Sequence, residues 1–297
     1  MTWLVQPPSE EPPALRLRAL LETREVLAVP GVFNALVARL AQQAGFEALY
    51  FSGAAYSASL ALPDLGLVTL PEVVEAVRWV VRATRLPVIV DADVGFGEVL
   101  NVMRTVRELE AAGAAAVQIE DQGMPKRCGH LGGKEVIPAE AMAEKVAAAV
   151  QARRHVLVVA RTDARATHGL AEVIRRGRMY AEAGADVFFP EALESPEEFR
   201  AVAEAVRVPL LANMTEFGRT PLLSVEAFRR LGYRLVIFPV TALRVAMRAV
   251  EALFEDLREK GSQADWIPRM QTRQALYELI RYEDYEALDR RLAGGEV

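Results

Sequence analysis

Short apolar, β-branched runs alternate along most of this chain with amphipathic stretches rich in Ala, Leu, Glu and Arg, joined by polar or glycine-containing turns. The runs Val26–Val32, Ala48–Ser52, Val88–Asp91, Ala116–Glu120, Val156–Thr162, Asp186–Pro190, Val208–Asn213 and Leu235–Phe238 have the length and residue types of strands, and helical periodicity fills most of the gaps. Near-continuous apolar strands separated by helices predict a parallel sheet covered on its outer face. Eight such units predict a (β/α)8 TIM-type barrel. An open doubly wound sheet is the rival, but no Gly-x-Gly-x-x-Gly follows an early strand to support it. Helical segments from Thr241 to Lys260 and from Ala264 to Leu292 exceed what a barrel needs; such extra helices usually pack on a neighbour, which predicts an oligomer. No low-complexity insert or linker divides residues 1–297, so one barrel domain with a C-terminal helical extension is expected.

Composition narrows the classes. With 52% apolar and 25% charged residues the chain can bury a large core. A net charge of −5 gives no electrostatic basis for binding nucleic acid or anionic lipid. No apolar run approaches the roughly 20 residues that span a bilayer, and Pro7, Pro8, Pro12 and Pro13 interrupt the start where a signal peptide needs an unbroken apolar stretch. The expected partner is a small molecule. Cys128 is the one cysteine, so there is no internal disulfide, and a reduced thiol fits the cytoplasm.

In a barrel the chemistry sits where strands end. Asp91 and Asp93 are two apart at one such end and Glu120 closes the next strand. Three carboxylates without His or Cys suit a hard cation such as Mg²⁺, or Mn²⁺ in its place. For an isolated Asp-x-Asp, helix capping or turn formation is an equal reading, and the third carboxylate favours metal. Asp64, in Leu-Pro-Asp-Leu-Gly, is a further candidate through a loop. Arg161, Arg244 and Arg273 are candidates for gripping substrate carboxylates. Asn213 and Thr215, flanking Met214, are neutral donors at a strand end, and Glu191 accepts a hydrogen bond or orients Arg161. The turn at Ser52, Gly53 and Ala54 brings backbone N–H groups near an oxyanion. Tyr50 and His130 are proton carriers by type. Cys128 stands between cations and His130 in Lys126-Arg-Cys-Gly129-His130, a setting that stabilises a thiolate and makes a mobile acid. Together these describe a site for a small polycarboxylate and a retro-aldol carbon–carbon cleavage.

Tyr50-Phe-Ser-Gly53, Val90-Asp-Ala-Asp-Val-Gly-Phe-Gly97, Ile119-Glu-Asp-Gln122, Lys126-Arg-Cys-Gly-His130, Ala160-Arg-Thr-Asp-Ala164, Phe189-Pro-Glu-Ala192, Asn213-Met-Thr-Glu-Phe-Gly218 and Met270-Gln-Thr-Arg273 follow one another in fixed order. The chain from about Leu27 to about Leu292 thereby resembles the isocitrate lyase and phosphoenolpyruvate mutase superfamily, with Met270–Tyr285 pointing to its methylisocitrate lyases. The resemblance implies a Mg²⁺-dependent lyase in a homotetramer whose C-terminal helix is exchanged between subunits, splitting 2-methylisocitrate into pyruvate and succinate in propionate breakdown. It implies metal-site roles for Asp91 and Asp93 with Glu120 in the outer shell, Cys128 as the acid that protonates the succinate carbanion, Gly129 and His130 completing its loop, and Ser52, Gly53 and Ala54 as the cradle of the pyruvate half. Arg161, Glu191, Asn213, Met214, Thr215, Arg244 and Arg273 match substrate contacts. Ala54 and Ala55 depart from the further glycines expected after Ser-Gly, and an alanine resists positive φ. Relatives acting on dimethylmalate or oxaloacetate share the cysteine motif, isocitrate lacks only a methyl, and a barrel that binds carboxylates without catalysis is the reading from another class.

Overall fold

The computed structural model describes residues 2–5, 11–126 and 135–294. Its strands are β1 (Leu27–Val32), β2 (Leu49–Phe51), β3 (Val88–Asp91), β4 (Ala116–Glu120), β5 (Leu157–Thr162), β6 (Val187–Pro190), β7 (Leu211–Asn213) and β8 (Leu235–Phe238). All pair in parallel, in the order β6-β5-β4-β3-β2-β1-β8-β7, and a parallel bridge between Phe188 and Leu210 joins the two ends. This is the TIM-type barrel that the alternating pattern predicts.

Strand parity decides what each side chain does, because successive residues point to opposite faces. Leu27, Val29, Tyr50, Ile89, Leu157, Val159, Val187, Phe189, Leu211, Leu235 and Ile237 fill the barrel interior. Their neighbours, among them Leu49, Phe51, Val88, Val90, Val158, Ala160, Phe188 and Val236, pack outward against the helices. Continuing the inward parity to the carboxyl ends reaches Asp91, Glu120, Arg161 and Asn213, whereas Thr162 continues the outward set. The helix Pro13–Thr23, which the strand–helix pattern does not announce, sends Leu17 and Leu21 into the interior cluster as a plug.

One carboxylate organises the entry to β5. Glu110, near the end of the helix Val99–Ala111, accepts backbone hydrogen bonds from Arg154 (2.9 Å), His155 (2.5 Å) and Val156 (2.9 Å). Burial pushes its carboxyl up, but the three N–H donors and His155 outweigh that and hold it below the ordinary value of 4.5. A depressed folded pKa means stability that is present above 4.5 and lost as pH falls through the folded value. Glu110→Gln, with one acceptor oxygen, is expected to cost about 1–3 kcal/mol in urea unfolding at neutral pH. The gap to wild type should narrow in acid; a gap independent of pH would mean that the ionised form carries no special weight.

The C-terminal part corrects the expected pair of helical stretches. The helix Thr241–Lys260 forms as predicted and stops at Gly261, in the left-handed conformation (φ 65°) that suits a C-cap glycine. Its one buried residue is Leu243, and Val245, Met247, Val250 and Phe254 are exposed. The stretch 264–292 is not one helix but three pieces: a 3-10 turn Ala264–Arg269 holding Pro268, then Arg273–Ile280 and Tyr282–Leu292, parted by Arg281 at φ 61°. Arg273–Ile280 packs on the helix Ala35–Gln43 of the same chain. Among the described residues no helix is long and apolar enough to cross a membrane.

Candidate active site

The mouth of the barrel holds a cavity of about 150 Å³, lined among others by Tyr50, Ser52, Ala54, Asp64, Asp91, Glu120, Arg161, Glu191, Asn213, Thr215 and Arg244. Residues from β2 to β8 are thus brought together at one end, where the inward parity runs out of apolar side chains. Cys128, Gly129 and His130 lie outside the described residues.

Ser52 is buried, and its Oγ accepts from the Ala55 N–H at 3.2 Å as the N-cap of the helix Gly53–Ser59. Gly53 donates its N–H to Asp91 Oδ2 at 3.2 Å, and a Cβ there would lie 3.0 Å from that oxygen, so a larger residue would require the carboxylate to give way. Ala54 and Ala55 occupy helical positions, where alanine is favoured, so the concern over positive φ does not apply. Only Ala54 lines the cavity; Ala55 is buried with Phe33 and Leu243.

Tyr50 donates to Gln118 Oε1 at 2.5 Å, and Gln118 Nε2 donates to Asp91 Oδ1 at 3.2 Å. Burial first, and Asp91 second, raise the phenol well above its ordinary value. Tyr50 is therefore a neutral donor at neutral pH, not a ready base. Asp91 also accepts the Asp93 N–H at 3.3 Å, and Asp93 sits at φ 49°, a conformation costly for a non-glycine residue and concentrated at functional sites.

The centre of the negative charge holds a cation that sequence reading treated only as a neighbour of the cysteine. Lys126 is 4% exposed and forms ion pairs with both Asp64 and Asp93. Burial would lower its pKa, but Asp93, Glu120, Asp91 and Asp64 outweigh that and raise it. Asp93 is lifted to about 6 by burial, with Lys126 opposing and Asp91 adding to the rise. Glu120 is turned towards Arg161 (3.3 Å) and is pushed up by burial. Among the described residues no three Asp, Glu, His or Cys side chains stand ready to hold one ion; Asp91, Asp93, Asp64 and Glu120 form a looser cluster around Lys126. Its donor set still fits Mg²⁺: it is all oxygen, and Mg²⁺ commonly takes one or two carboxylates and keeps several waters. Asp91 and Asp93 would hold the ion, with Asp64 and Glu120 around it.

Arg161 is held from three sides. Nε and Nη2 donate to the two Asp163 oxygens at 2.9 and 3.1 Å, while Nη1 has longer ion pairs to Glu120 (3.3 Å) and Glu191 (3.4 Å). Its guanidinium lies 5.2 Å from the Phe189 ring centre. Burial disfavours the charge, but Asp163, Glu120 and Glu191 outweigh it and raise the pKa. The anionic partner that a buried arginine demands is thus supplied by the protein, and Nη1 has the longest of these contacts. Asp163 is fixed in turn: its N–H donates to Asp121 at 2.9 Å, and Asp121 also accepts from Thr162 (2.6 Å), Tyr180 (2.7 Å) and Arg176 (2.8 Å). An Arg-x-Asp spacing that lets a strand-end arginine fold onto its own carboxylate was the available signal for Asp163.

Glu191 accepts from the Ala192 N–H at 2.8 Å and from Asn213 Nδ2 at 3.1 Å, so it orients Asn213 as well as Arg161. Arg244 donates to the Glu216 carbonyl at 3.2 Å and lies 5.0 Å from the Phe217 ring. Two expected substrate contacts fall elsewhere. The Met214 side chain is buried in the outer core, its sulfur accepting from the Leu223 N–H at 3.3 Å, because outward parity at that position turns it from the mouth. Arg273 is exposed and does not line the cavity; the Thr272 cap sets it at the start of the helix that packs on Ala35–Gln43.

Known proteins agree with this architecture. A 2-methylisocitrate lyase of Aeropyrum pernix is 55% identical over 293 residues, covering 99% of this chain and 95% of the relative. A crystal structure of 2,3-dimethylmalate lyase superposes with a TM-score of 0.90 at 37% identity, covering 97% of each chain. Phosphonopyruvate hydrolase in complex with oxalate and Mg²⁺ superposes with a TM-score of 0.86 at 32% identity, covering 95% of this chain and 99% of that one. Residues 17–258 match the family model described as phosphoenolpyruvate phosphomutase, and the chain belongs to that family, within the phosphoenolpyruvate mutase and isocitrate lyase superfamily.

Proposed function

We propose that this protein is a carbon–carbon lyase that splits 2-methylisocitrate into pyruvate and succinate. The observation that carries the reading is the 55% identity to a 2-methylisocitrate lyase across 99% of the chain. The site's chemistry agrees with it. Arg161 Nη1 and Arg244 grip carboxylates, while Asn213 and Thr215 donate to the remaining oxygens. Transfer of the substrate hydroxyl proton to a carboxylate of the mouth lets the C–O bond become a carbonyl as the adjacent carbon–carbon bond breaks, and the electron pair left on the succinate carbon takes a proton from the Cys128 thiol. Tyr50, kept neutral, holds Gln118 and through it Asp91. Asp91 and Asp93 would hold Mg²⁺, which when bound would supply positive charge beside the hydroxyl oxygen that becomes the pyruvate carbonyl.

The assembly belongs to the same proposal. The exposed apolar residues Met247, Val250 and Phe254, which share one side of the helix Thr241–Lys260, give it a face for a second copy of this chain, in keeping with a homotetramer joined by helix exchange. Of the segments that follow, Arg273–Ile280 packs on the helix Ala35–Gln43 of its own barrel, which leaves Thr241–Lys260 as our candidate for the exchanged element.

Cys128→Ser is expected to fold as wild type and to lose about 100-fold or more of its cleavage rate, the scale of a general acid. Turnover is to be followed as pyruvate and succinate on 2-methylisocitrate, isocitrate, 2,3-dimethylmalate and oxaloacetate, before and after EDTA. Wild-type rates in the serine variant would remove the thiol from the mechanism, full activity after EDTA would remove the metal, and preference for another acid would reassign the substrate.

A further inference from the structure

A cavity of about 350 Å³ opens in the outer layer where Thr2 and Trp3, the helix Ala35–Gln43, the end of the helix Leu70–Ala83 and the last helices meet. It shares no lining residue with the barrel mouth and lies within the size range of small-molecule sites. Arg39, Arg82, Arg85 and Arg281 line it, and among the described residues no carboxylate does, in a chain whose net charge is −5.

The guanidinium groups retain capacity for an anion. Arg39 donates to the Leu279 carbonyl (2.9 and 2.6 Å) and to the Ala83 carbonyl (3.1 Å) but pairs with no acid among the described residues. Burial first, and Arg281 second, lower its pKa. Arg82 lies between two indoles, 4.9 Å from Trp3 and 5.3 Å from Trp79, which fixes its charge at the rim. Arg281 is paired with Asp284 (2.5 Å), which does not line the cavity. Two hydroxyls point independently to a ligand. Thr2 and Thr84, 3% and 4% exposed, both line the cavity, and their Oγ1 atoms have no hydrogen-bond partner among the described residues. A buried polar atom left so costs about 1–3 kcal/mol unless something satisfies it.

The geometry points to a second ligand site here, one that takes a small polyanion, a phosphate ester or a polycarboxylate, with arginines pairing its charge and the Thr2 and Thr84 hydroxyls donating to its oxygens. Bound there, such an anion ties the N-terminal residues and the last helices to the helix Ala35–Gln43.

Trp3 and Trp79, two of the chain's 3 tryptophans, report on this wall. Their fluorescence is to be followed while the full chain is titrated with inorganic pyrophosphate, adenosine monophosphate and citrate, ionic strength being held constant with sodium chloride. A saturable response to at least one is expected, about 10-fold weaker in Arg85→Ala and weaker also in Thr84→Val, which keeps the side-chain shape. A response to the phosphate compounds alone assigns phosphate esters, and one to citrate assigns polycarboxylates. No saturable response to any of the three in wild type, equal affinity in both variants, or a response reproduced by sodium chloride would each overturn the site. Binding at the barrel mouth appears as unchanged affinity in the variants and so counts against it.

Discussion

Arg161→Met is expected to lose about 3–5 kcal/mol of unfolding free energy at neutral pH, the usual result of removing one partner from a buried ionic cluster. The side chain it replaces is 8% exposed and answers three carboxylates, Asp163, Glu120 and Glu191. Methionine fills much of the volume and leaves those charges facing one another. Glu120, which burial already pushes up against the opposing pull of Arg161, rises further, so it takes up a proton more readily in the native state than in the unfolded chain. A raised acid penalises folding above its unfolded pKa and is relieved as pH falls through the folded one. The deficit should therefore be largest in neutral and alkaline urea titrations and shrink on acidification. Arg161→Lys keeps the charge but not the forked pair to Asp163, and should fall between the two in stability. A methionine variant as stable as wild type at every pH would mean that the cluster is held by its other hydrogen bonds, and that Arg161 is retained for substrate alone.

The barrel was legible because its strands are short, apolar and buried on both sides, set apart from the longer amphipathic helices between them. Predicted ends at Asp91, Glu120, Pro190 and Phe238 coincide with the observed ones. Strand ends also named the residues of the mouth, since parity carries the inward face onto Asp91, Glu120, Arg161 and Asn213. What escaped depends on contacts between distant segments. Lys126 is one of several basic residues in a glycine-rich loop, and nothing in its neighbours tells that its ammonium folds back onto Asp64 and Asp93. Asp121 follows the last inward residue of β4 and accepts from Tyr180 and Arg176 behind the sheet, contacts that its place beside Glu120 does not announce. Periodicity survives across Arg281, so the break between the two last helices, a single left-handed residue, gives no pattern to detect. Arg273 looked like a substrate grip because its motif did, but a motif carries no information on where a terminal helix docks.

Lys126→Met tests the arrangement of charge at the mouth most directly. The lysine is buried between Asp64 and Asp93, beside Asp91 and Glu120, so its removal leaves a group of carboxylates of which Glu120 alone pairs with Arg161 among the described residues. A loss of about 3–5 kcal/mol is expected at neutral pH. Asp93, at about 6 in the wild-type chain, should move higher still, because the lysine is the main influence holding it down. Stability of the variant should accordingly improve as pH falls below neutrality, the opposite of the wild-type trend at Glu110. If the same carboxylates accept Mg²⁺, the ion should raise the melting temperature of Lys126→Met more than that of wild type, where the ammonium competes for their charge. Equal shifts in the two proteins would place the ion away from Asp64 and Asp93. A variant with wild-type stability at alkaline pH would mean that burial of the ammonium costs as much as its ion pairs return, leaving Lys126 to act in the reaction rather than in the fold.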